Sequence, residues 1–388
     1  MIQSPLLIVL VLVLIEALVL SAARSKRLEK CFDFLPPVFW IYFLPMIVST
    51  TGLIDAKAPV LGAITTYILP MSLALLLITV DVKAIVRLGG PALIMFFVGS
   101  AGIIVGAAVS FVLFKGLVGG QFWAGFGALS ASWTGGSANM IAVKEALAVP
   151  DPVFLPMVVV DTICPYVWMG ILIAAVRWQP AFDKWNRADR AVLDDLKARA
   201  AGAPQKQAVR MTGGGMVAVL ALALTLGVLA QAIALHLPQV TGIISTYAWV
   251  IIVVSALALG LSFTPVRRIE SAGATKVGYW LLYFVLTAIG AKASLSHIGA
   301  SAVLICAGAV IILVHAVFLL GAARIMRAPL FLVAAASQAN VGGVASAPVV
   351  AAVYEPGLSS VGLLLAILGN IVGTYLGILA GQICRMFN

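Results

Sequence analysis

The chain has 388 residues, of which 63% are hydrophobic and only 10% are charged. A soluble domain carries about 25% charged residues, so this composition excludes a soluble protein and predicts an all-α polytopic membrane protein. The formal net charge is +10, but most basic residues lie in short loops at helix ends, where they set membrane orientation, so no nucleic-acid partner is expected.

Long apolar runs follow one another along the whole chain and predict about twelve transmembrane helices. Because these runs are continuous rather than alternating, a transmembrane β-barrel is excluded. Weak similarity between the two halves predicts two repeats, each with scaffold helices followed by core helices. The predicted segments are the first repeat 1–176 (scaffold 1–80, core 91–176), the linker 177–210, and the second repeat 211–388 (scaffold 211–294, core 299–381).

The polar segment 177–210 separates the repeats. Its hydrophobic residues recur at helical spacing, opposite charged residues such as Asp183 and Arg187. This pattern predicts an amphipathic helix on the membrane surface. The hydrophobic residues of that helix are Phe182, Trp185, Ala188, Val192 and Leu196.

The polar stretch Ser130-Ala-Ser-Trp-Thr-Gly-Gly-Ser-Ala-Asn139 interrupts the predicted span 119–147 near its middle. Backbone that leaves the helix at membrane depth is tolerated only where protein or a watery cavity satisfies its polar groups. We therefore predict a helix break at Gly135-Gly136.

The same design returns in the span 329–353 as Ala336-Ser-Gln-Ala-Asn-Val-Gly-Gly-Val-Ala-Ser346, with a second predicted break at Gly342-Gly343. Two interrupted spans in matching halves are the best sequence pointer to the binding site of a transporter, and we expect them to cross near the bilayer midplane. The alternative is that these small residues only allow close helix packing. The predicted solute-binding residues are Ser132, Thr134, Gly135, Gly136, Ser137, Asn139, Gln338, Asn340, Gly342 and Gly343.

The relative orientation of the repeats follows from the basic residues. If the basic residues of the short loops are placed on the cytoplasmic side, inverted repeats are favoured. Six crossings in each half would instead make the repeats parallel. Inverted repeats therefore require one extra or one missing crossing within residues 177–240, and the sequence leaves both open.

Asp161 is the sharpest single candidate, because an intramembrane carboxylate is costly and marks an ion or proton pathway. The alternative is an acid near a helix end that reaches the interface. Pro165 would free the Asp161 carbonyl as a further cation ligand. Asn370 lies at the matching place in the final span, and Ser346 adds a hydroxyl, so these three residues form the predicted cation-binding set, with sodium at Asp161.

No enzyme motif occurs, including HExxH, GxSxG and Walker A, so we expect a non-enzyme without a bound cofactor. The four cysteines have no metal-site spacing. His315 on an apolar helix is expected to be a hydrogen-bonded packing residue rather than a proton relay.

The SWTGGSAN stretch, the VVxDTxCPYxWMG helix and the QANVGG stretch together resemble the YjcL-like family of bacterial membrane proteins, long catalogued as a domain of unknown function. Its architecture is similar to the larger group of sodium/proton antiporters, bile-acid/sodium symporters and glutamate/sodium symporters. This resemblance implies inverted repeats, a mobile core and a scaffold, and it puts Asp161 where the antiporters carry a cation-binding acid. Val160 precedes Asp161, so the antiporters' adjacent acid pair is missing, which favours symport.

The function predicted from the sequence is elevator-type secondary active transport that couples a sodium or proton gradient to symport of a small organic solute. The solute is expected to be an organic anion, an amino acid or a short peptide, including fragments of cell wall. The alternatives are a cation/proton antiporter and a channel. We expect a multi-pass homodimer, built on the scaffold, in the bacterial inner membrane and surrounded by its lipid bilayer.

Overall fold

A computed structural model describes residues 2–25, 27, 28, 32, 37–188, 196, 211–239, 245–292 and 301–388. Within these ranges the regular structure is helical, and no β-strand is present apart from an isolated bridge between Ile2 and Ile54. The α-helices are α1 (Pro5–Ala22), α2 (Pro37–Thr50), α3 (Pro59–Ile78), α4 (Val82–Val86), α5 (Gly90–Val118), α6 (Trp123–Gly135), α7 (Ser137–Ala146), α8 (Asp151–Ala175), α9 (Gln179–Asn186), α10 (Gly213–Ala234), α11 (Thr246–Ser262), α12 (Ala274–Lys292), α13 (Ser301–Met326), α14 (Leu330–Val341), α15 (Gly343–Tyr354) and α16 (Ser359–Met386).

Eight helices of the described chain are long and apolar enough to cross a membrane. A ninth candidate consists of α11 and the 3-10 helix Pro265–Ala272, with a bend of 97° between them. Shorter helices occupy the remaining predicted spans: α2, the pair α6 and α7, and the pair α14 and α15. The prediction of an all-α polytopic membrane protein is confirmed.

The chain divides into two compact units. Unit 1 comprises Met1–Val80, Val149–Thr162 and Ala208–Ala300, and unit 2 comprises Asp81–Ala148, Ile163–Gln207 and Ser301–Asn388. All four helices of the two interrupted spans belong to unit 2. The boundary falls inside α8, so Asp161 belongs to unit 1 although the predicted core 91–176 includes it.

Unit 1 is organised around α3 and α12. Helix α12 packs against α2 and α3, and α3 also packs against α10 and α11. The hydroxyl groups of Thr79 and Thr275 lie 3.0 Å apart between α3 and α12, and the Tyr247 hydroxyl donates to the Thr65 carbonyl at 2.9 Å. Helix α1 contacts α2, α3 and α12 and leaves leucines such as Leu6 exposed.

Unit 2 is organised around two helix pairs, α16 with α6 and α5 with α13. A row of glycines on α16 recurs every fourth residue and faces α6. A Cβ atom at Gly373 would lie 2.7 Å from the Cα of Gly135, and one at Gly377 would lie 2.9 Å from the Cα of Ala131. Only glycine permits this approach, which brings α16 against the end of α6.

The described part of the predicted amphipathic segment contains the helix α9. Helix α9 ends at Asn186 because Arg187 adopts a left-handed conformation with φ of 53°. The amide of Ala188 then donates to the Asp183 carbonyl at 2.9 Å, as in other left-handed helix ends. The described residues thus show a helix end at Asn186, and the predicted continuation through Val192 lies, with residues 189–195 and 197–210 of the predicted linker, outside the described residues.

We predict that Gly377→Ala lowers the free energy of unfolding by about 1–3 kcal/mol, because the added methyl group forces α16 away from α6. The matched control is Gly321→Ala on α13, where a Cβ meets no atom within 4 Å and alanine favours the helix. The thermal unfolding midpoint of each purified protein measures the effect. Equal midpoints for the two variants would contradict the packing assigned to the α16 glycines.

Candidate functional site

The first break separates α6 from α7 at the predicted glycine pair. Helix α6 ends at Gly135, Gly136 has φ of 83°, and α7 begins at Ser137. The backbone N–H of Gly136 donates to the Ser132 carbonyl at 2.6 Å, and the Gly136 carbonyl accepts from the backbone N–H of Asn139 at 3.0 Å. A residue with a Cβ atom rarely adopts this φ, so glycine is needed here.

Asn139 braces this break against α16. Its Nδ2 atom donates to the carbonyls of Gly135 at 2.6 Å and Asn370 at 3.4 Å. Its Oδ1 atom accepts from the Thr374 hydroxyl at 2.5 Å. Both donor positions of the amide are thus used within the protein, so its capacity for a solute is small.

The second break separates α14, which ends at Val341, from α15, which begins at Gly343 with φ of 65°. The Nε2 atom of Gln338 donates across the break to the Ser346 hydroxyl at 2.7 Å. A Cβ atom at Gly342 would overlap both the Gln338 amide and the Ser346 hydroxyl. The glycine pair therefore serves two needs, backbone conformation at Gly343 and side-chain space at Gly342.

Asn340 braces the second broken helix against α5. Its Nδ2 atom donates to the carbonyls of Phe96 at 3.1 Å and Ala336 at 3.0 Å, and its Oδ1 atom accepts from the Ser100 hydroxyl at 2.7 Å. The side chain is fully buried. Each broken helix thus has one asparagine whose amide holds it to a neighbouring continuous helix.

A second polar chain holds α14 through Ser337. The Trp168 indole N–H donates to the Ser337 hydroxyl at 2.8 Å, and the two ring nitrogens of His315 lie 2.8 Å from the Gly99 carbonyl and 2.9 Å from the Ser337 hydroxyl. Since a carbonyl can only accept, His315 Nδ1 carries the proton, and Nε2 can accept from Ser337. This neutral tautomer satisfies every group and gives His315 the packing role expected from the sequence.

Three buried polar atoms beside the breaks have no hydrogen-bond partner among the described residues. They are the Thr134 hydroxyl and the Trp133 indole nitrogen at the end of α6, and the Gln338 Oε1 atom on α14. An unsatisfied buried polar group costs about 1–3 kcal/mol, so a native structure that keeps one needs a reason such as a ligand. Both halves of the second broken helix also contact α6, which brings α14 and α6 together.

Fewer contacts with the breaks are seen for the remaining predicted site residues. Asn370 on α16 faces the first break, since its Oδ1 atom would lie 3.7 Å from a Cβ at Gly136. Ser132 is buried, whereas Ser137 and, in unit 1, Asp161 are half-buried. Within the described ranges, no three His, Cys, Asp or Glu side chains cluster as metal ligands.

Several residues of this network were missed by sequence reasoning. Ser100 and Thr374 hold the two asparagines, Trp168 holds Ser337, and Trp133 contributes an unpaired donor. The available signal was weak, because a single small hydroxyl residue in an apolar helix usually bonds its own backbone.

The helices and the two interrupted spans define an all-α polytopic membrane protein. Residues 10–387 match the family described as "Protein of unknown function (DUF819)", and the chain belongs to this family. It is also similar to the "Uncharacterized membrane protein YjcL" of Bacillus subtilis (strain 168), with 26% identity over 352 residues that cover 86% of each chain. The YjcL-like resemblance is thereby confirmed.

We predict that Asn340→Ala lowers the free energy of unfolding by about 1–3 kcal/mol, since the Phe96 carbonyl and the Ser100 hydroxyl lose a buried partner. The control is Ser137→Ala, which removes a half-buried hydroxyl on α7. Thermal unfolding in detergent measures both. A larger loss of stability in the Ser137 variant would show that Asn340 is not a brace.

Proposed function

We propose that this protein is a secondary active transporter of elevator type that uses a sodium or proton gradient for symport of a small organic solute. The solute belongs to the class of organic anions, amino acids and short peptides, including cell-wall fragments. Unit 2 is the moving core in this proposal, because it contains both broken helices, and unit 1 is the scaffold.

The observation that carries this proposal is the set of unpaired buried atoms beside the two breaks: Thr134 Oγ1, Trp133 Nε1 and Gln338 Oε1. In a membrane protein such atoms are costly, and a polar solute or ion would satisfy them. They are also chemically mixed, since an indole N–H only donates and an amide oxygen only accepts. A solute that carries both anionic and cationic groups fits this mixture of donors and acceptors. A solute bound together with a separate cation fits it as well.

The helix ends beside these atoms add matching partial charges. The first amides of α7 and α15 have no partner in their own helix and favour an anionic group. The last carbonyls of α6 and α14 favour a cation. We therefore place an anionic group of the solute by the helix starts and a cationic group by the helix ends, close to Gln338 Oε1.

Uptake by proteoliposomes tests the proposal. Vesicles containing the purified protein receive radiolabelled amino acids, dicarboxylates and short peptides under an inward sodium gradient, an inward proton gradient or neither. We expect at least one solute to accumulate above its external concentration under one gradient. If every solute that enters only equilibrates, whatever the gradient, the protein is a channel and the proposal fails.

We predict that Thr134→Val reduces the efficiency of this uptake about tenfold to 100-fold, the loss expected for one hydrogen bond to a charged group. Valine keeps the volume of threonine, so folding is preserved. The matched control is Thr225→Val on α10, which removes an exposed hydroxyl bonded to its own helix. Wild-type uptake by the Thr134 variant would show that this hydroxyl does not bind the solute.

Asp161 provides the test of ion coupling. Asp161→Asn removes the charge at nearly constant volume, and we expect gradient-driven accumulation to collapse while the variant still folds and inserts. Asp55→Asn is the control, because that side chain accepts a hydrogen bond from the Lys57 amide in an exposed loop. Unchanged ion dependence in the Asp161 variant would show that the coupling ion is held elsewhere.

Motion of unit 2 relative to unit 1 can be followed with spin labels. Cysteines at Gly116 in unit 2 and Gly213 in unit 1 place labels where a side chain meets no atom within 4 Å, after the four native cysteines are replaced. We expect the distance distribution from double electron–electron resonance to shift when coupling ion and solute are added. One unchanged distribution under all conditions would exclude the elevator mechanism.

The homodimer remains a prediction. The exposed large apolar residues of α1 are leucines and Val13, which suit lipid or a second subunit equally.

A further inference from the structure

The segment that follows α8 lies at the level of the membrane surface. Helix α8 ends at Ala175 and α13 ends at Met326, and each is long and apolar enough to cross a bilayer. Residues 177–187 follow the end of α8 and include α9, and residues 324–327 are the last three residues of α13 and the residue after it. These residues are therefore at the depth of the lipid headgroups.

One side of α9 is fixed to the turn between α13 and α14. The fully buried Asn186 donates from Nδ2 to the carbonyls of Ala323 at 3.0 Å and Ala328 at 2.8 Å. The Asp183 carboxylate accepts from the Leu330 amide at 2.8 Å. Leu330 is the first residue of α14, so α9 caps the second broken helix at its start.

Two indole rings, Trp178 directly before α9 and Trp185 on α9, are exposed, and cationic groups stack on them. Trp178 and Trp185 are 54% and 62% exposed, although tryptophan is a large apolar side chain. The guanidinium of Arg177 lies 4.3 Å from the Trp178 ring centre, and that of Arg324 lies 5.2 Å from the Trp185 ring centre. Stacking on indole orients a guanidinium and leaves its N–H groups directed outward for an acceptor.

The charged side chains of this surface are mostly basic. Three further basic side chains in the two ranges, Lys184, Arg187 and Arg327, are also exposed. Asp183 is the single acidic residue of the two ranges, and its Oδ1 atom accepts from the Leu330 amide. The two ranges therefore carry a net positive charge, which attracts anions.

We propose that Arg177, Trp178, Trp185 and Arg324 form a binding site for the headgroup of an anionic phospholipid, and that α9 transmits its occupancy to the first turn of α14. Arginine binds phosphate oxygens in a bidentate manner, and exposed indole rings at headgroup depth insert between lipids. A soluble anion would use the charge but not the two exposed rings. This inference goes beyond transport, since it concerns how the bilayer acts on the broken helix.

Native mass spectrometry of the full-length protein, titrated in detergent with phosphatidylglycerol or phosphatidylcholine, measures the binding. We expect a preference for phosphatidylglycerol that falls about 25-fold in the double variant R177Q/R324Q, at about fivefold for each arginine near a membrane surface. The control is Arg268→Gln, an exposed arginine in the 3-10 helix Pro265–Ala272, which should keep the wild-type preference. An equal fall in the control would mean only diffuse attraction and would overturn the site.

A soluble ligand is distinguished by competition. Inorganic phosphate at the same concentration should not displace phosphatidylglycerol, whereas displacement would overturn the assignment to lipid. Because all the substituted arginines are exposed, the thermal unfolding midpoint should stay unchanged, and a variant that retains its midpoint and still binds as the wild type does also overturns the site.

Hydrogen–deuterium exchange tests the transmission to α14. Phosphatidylglycerol should slow exchange of the amides from Leu330 to Val333 in the wild type. In Asp183→Ala the lipid should still bind, but this slowing should disappear, because the hydrogen bond to Leu330 is lost. Equal slowing in the variant would show that α9 does not transmit lipid binding.

Discussion

The structure depends on one constraint: a helix that stops within a membrane must have its polar groups satisfied by protein, since the lipid offers no hydrogen bonds. Two helices of this chain are interrupted, at Gly136 and at Gly342–Gly343. At each break the side chain of an asparagine donates hydrogen bonds to backbone carbonyls. Asn139 holds the end of α6 to α16, and Asn340 holds α14 to α5. Without these amides the interruptions would be costly defects rather than stable features.

Close packing makes the bracing possible. An asparagine side chain is short, so it reaches the backbone of another helix only where the two axes approach closely. The α16 glycines provide this approach at the first break, because Gly369 and Gly373 bring the α16 backbone against Thr134 and Gly135. The Asn370 carbonyl then comes within hydrogen-bond reach of Asn139. Glycine content and polar bracing are therefore parts of one arrangement.

The same arrangement separates two kinds of polar residue in the interrupted spans. Asn139, Asn340 and Ser337 are occupied by neighbouring helices, so they maintain the geometry. Thr134, Trp133 and Gln338 keep buried atoms that no described residue satisfies. Because unpaired buried polar atoms are costly, we infer that the three atoms beside the breaks are available to another molecule. This division turns a polar stretch into a specific candidate site.

The sequence by itself determined the class of protein and the places of the breaks. A composition of 63% hydrophobic residues leaves only a membrane protein, and paired glycines among Ser, Thr and Asn in an apolar run have few other uses. What the tertiary structure decided is which polar side chains brace and which stay unpaired. Ser100 and Asn340 are separated by 240 positions in the sequence, and most of the other residues that hydrogen-bond between helices at the breaks are similarly far apart. No local sequence pattern encodes such pairings. The tertiary structure likewise ended α9 at Asn186 and directed Asp183 to Leu330, because these outcomes depend on the turn between α13 and α14, which is distant in sequence.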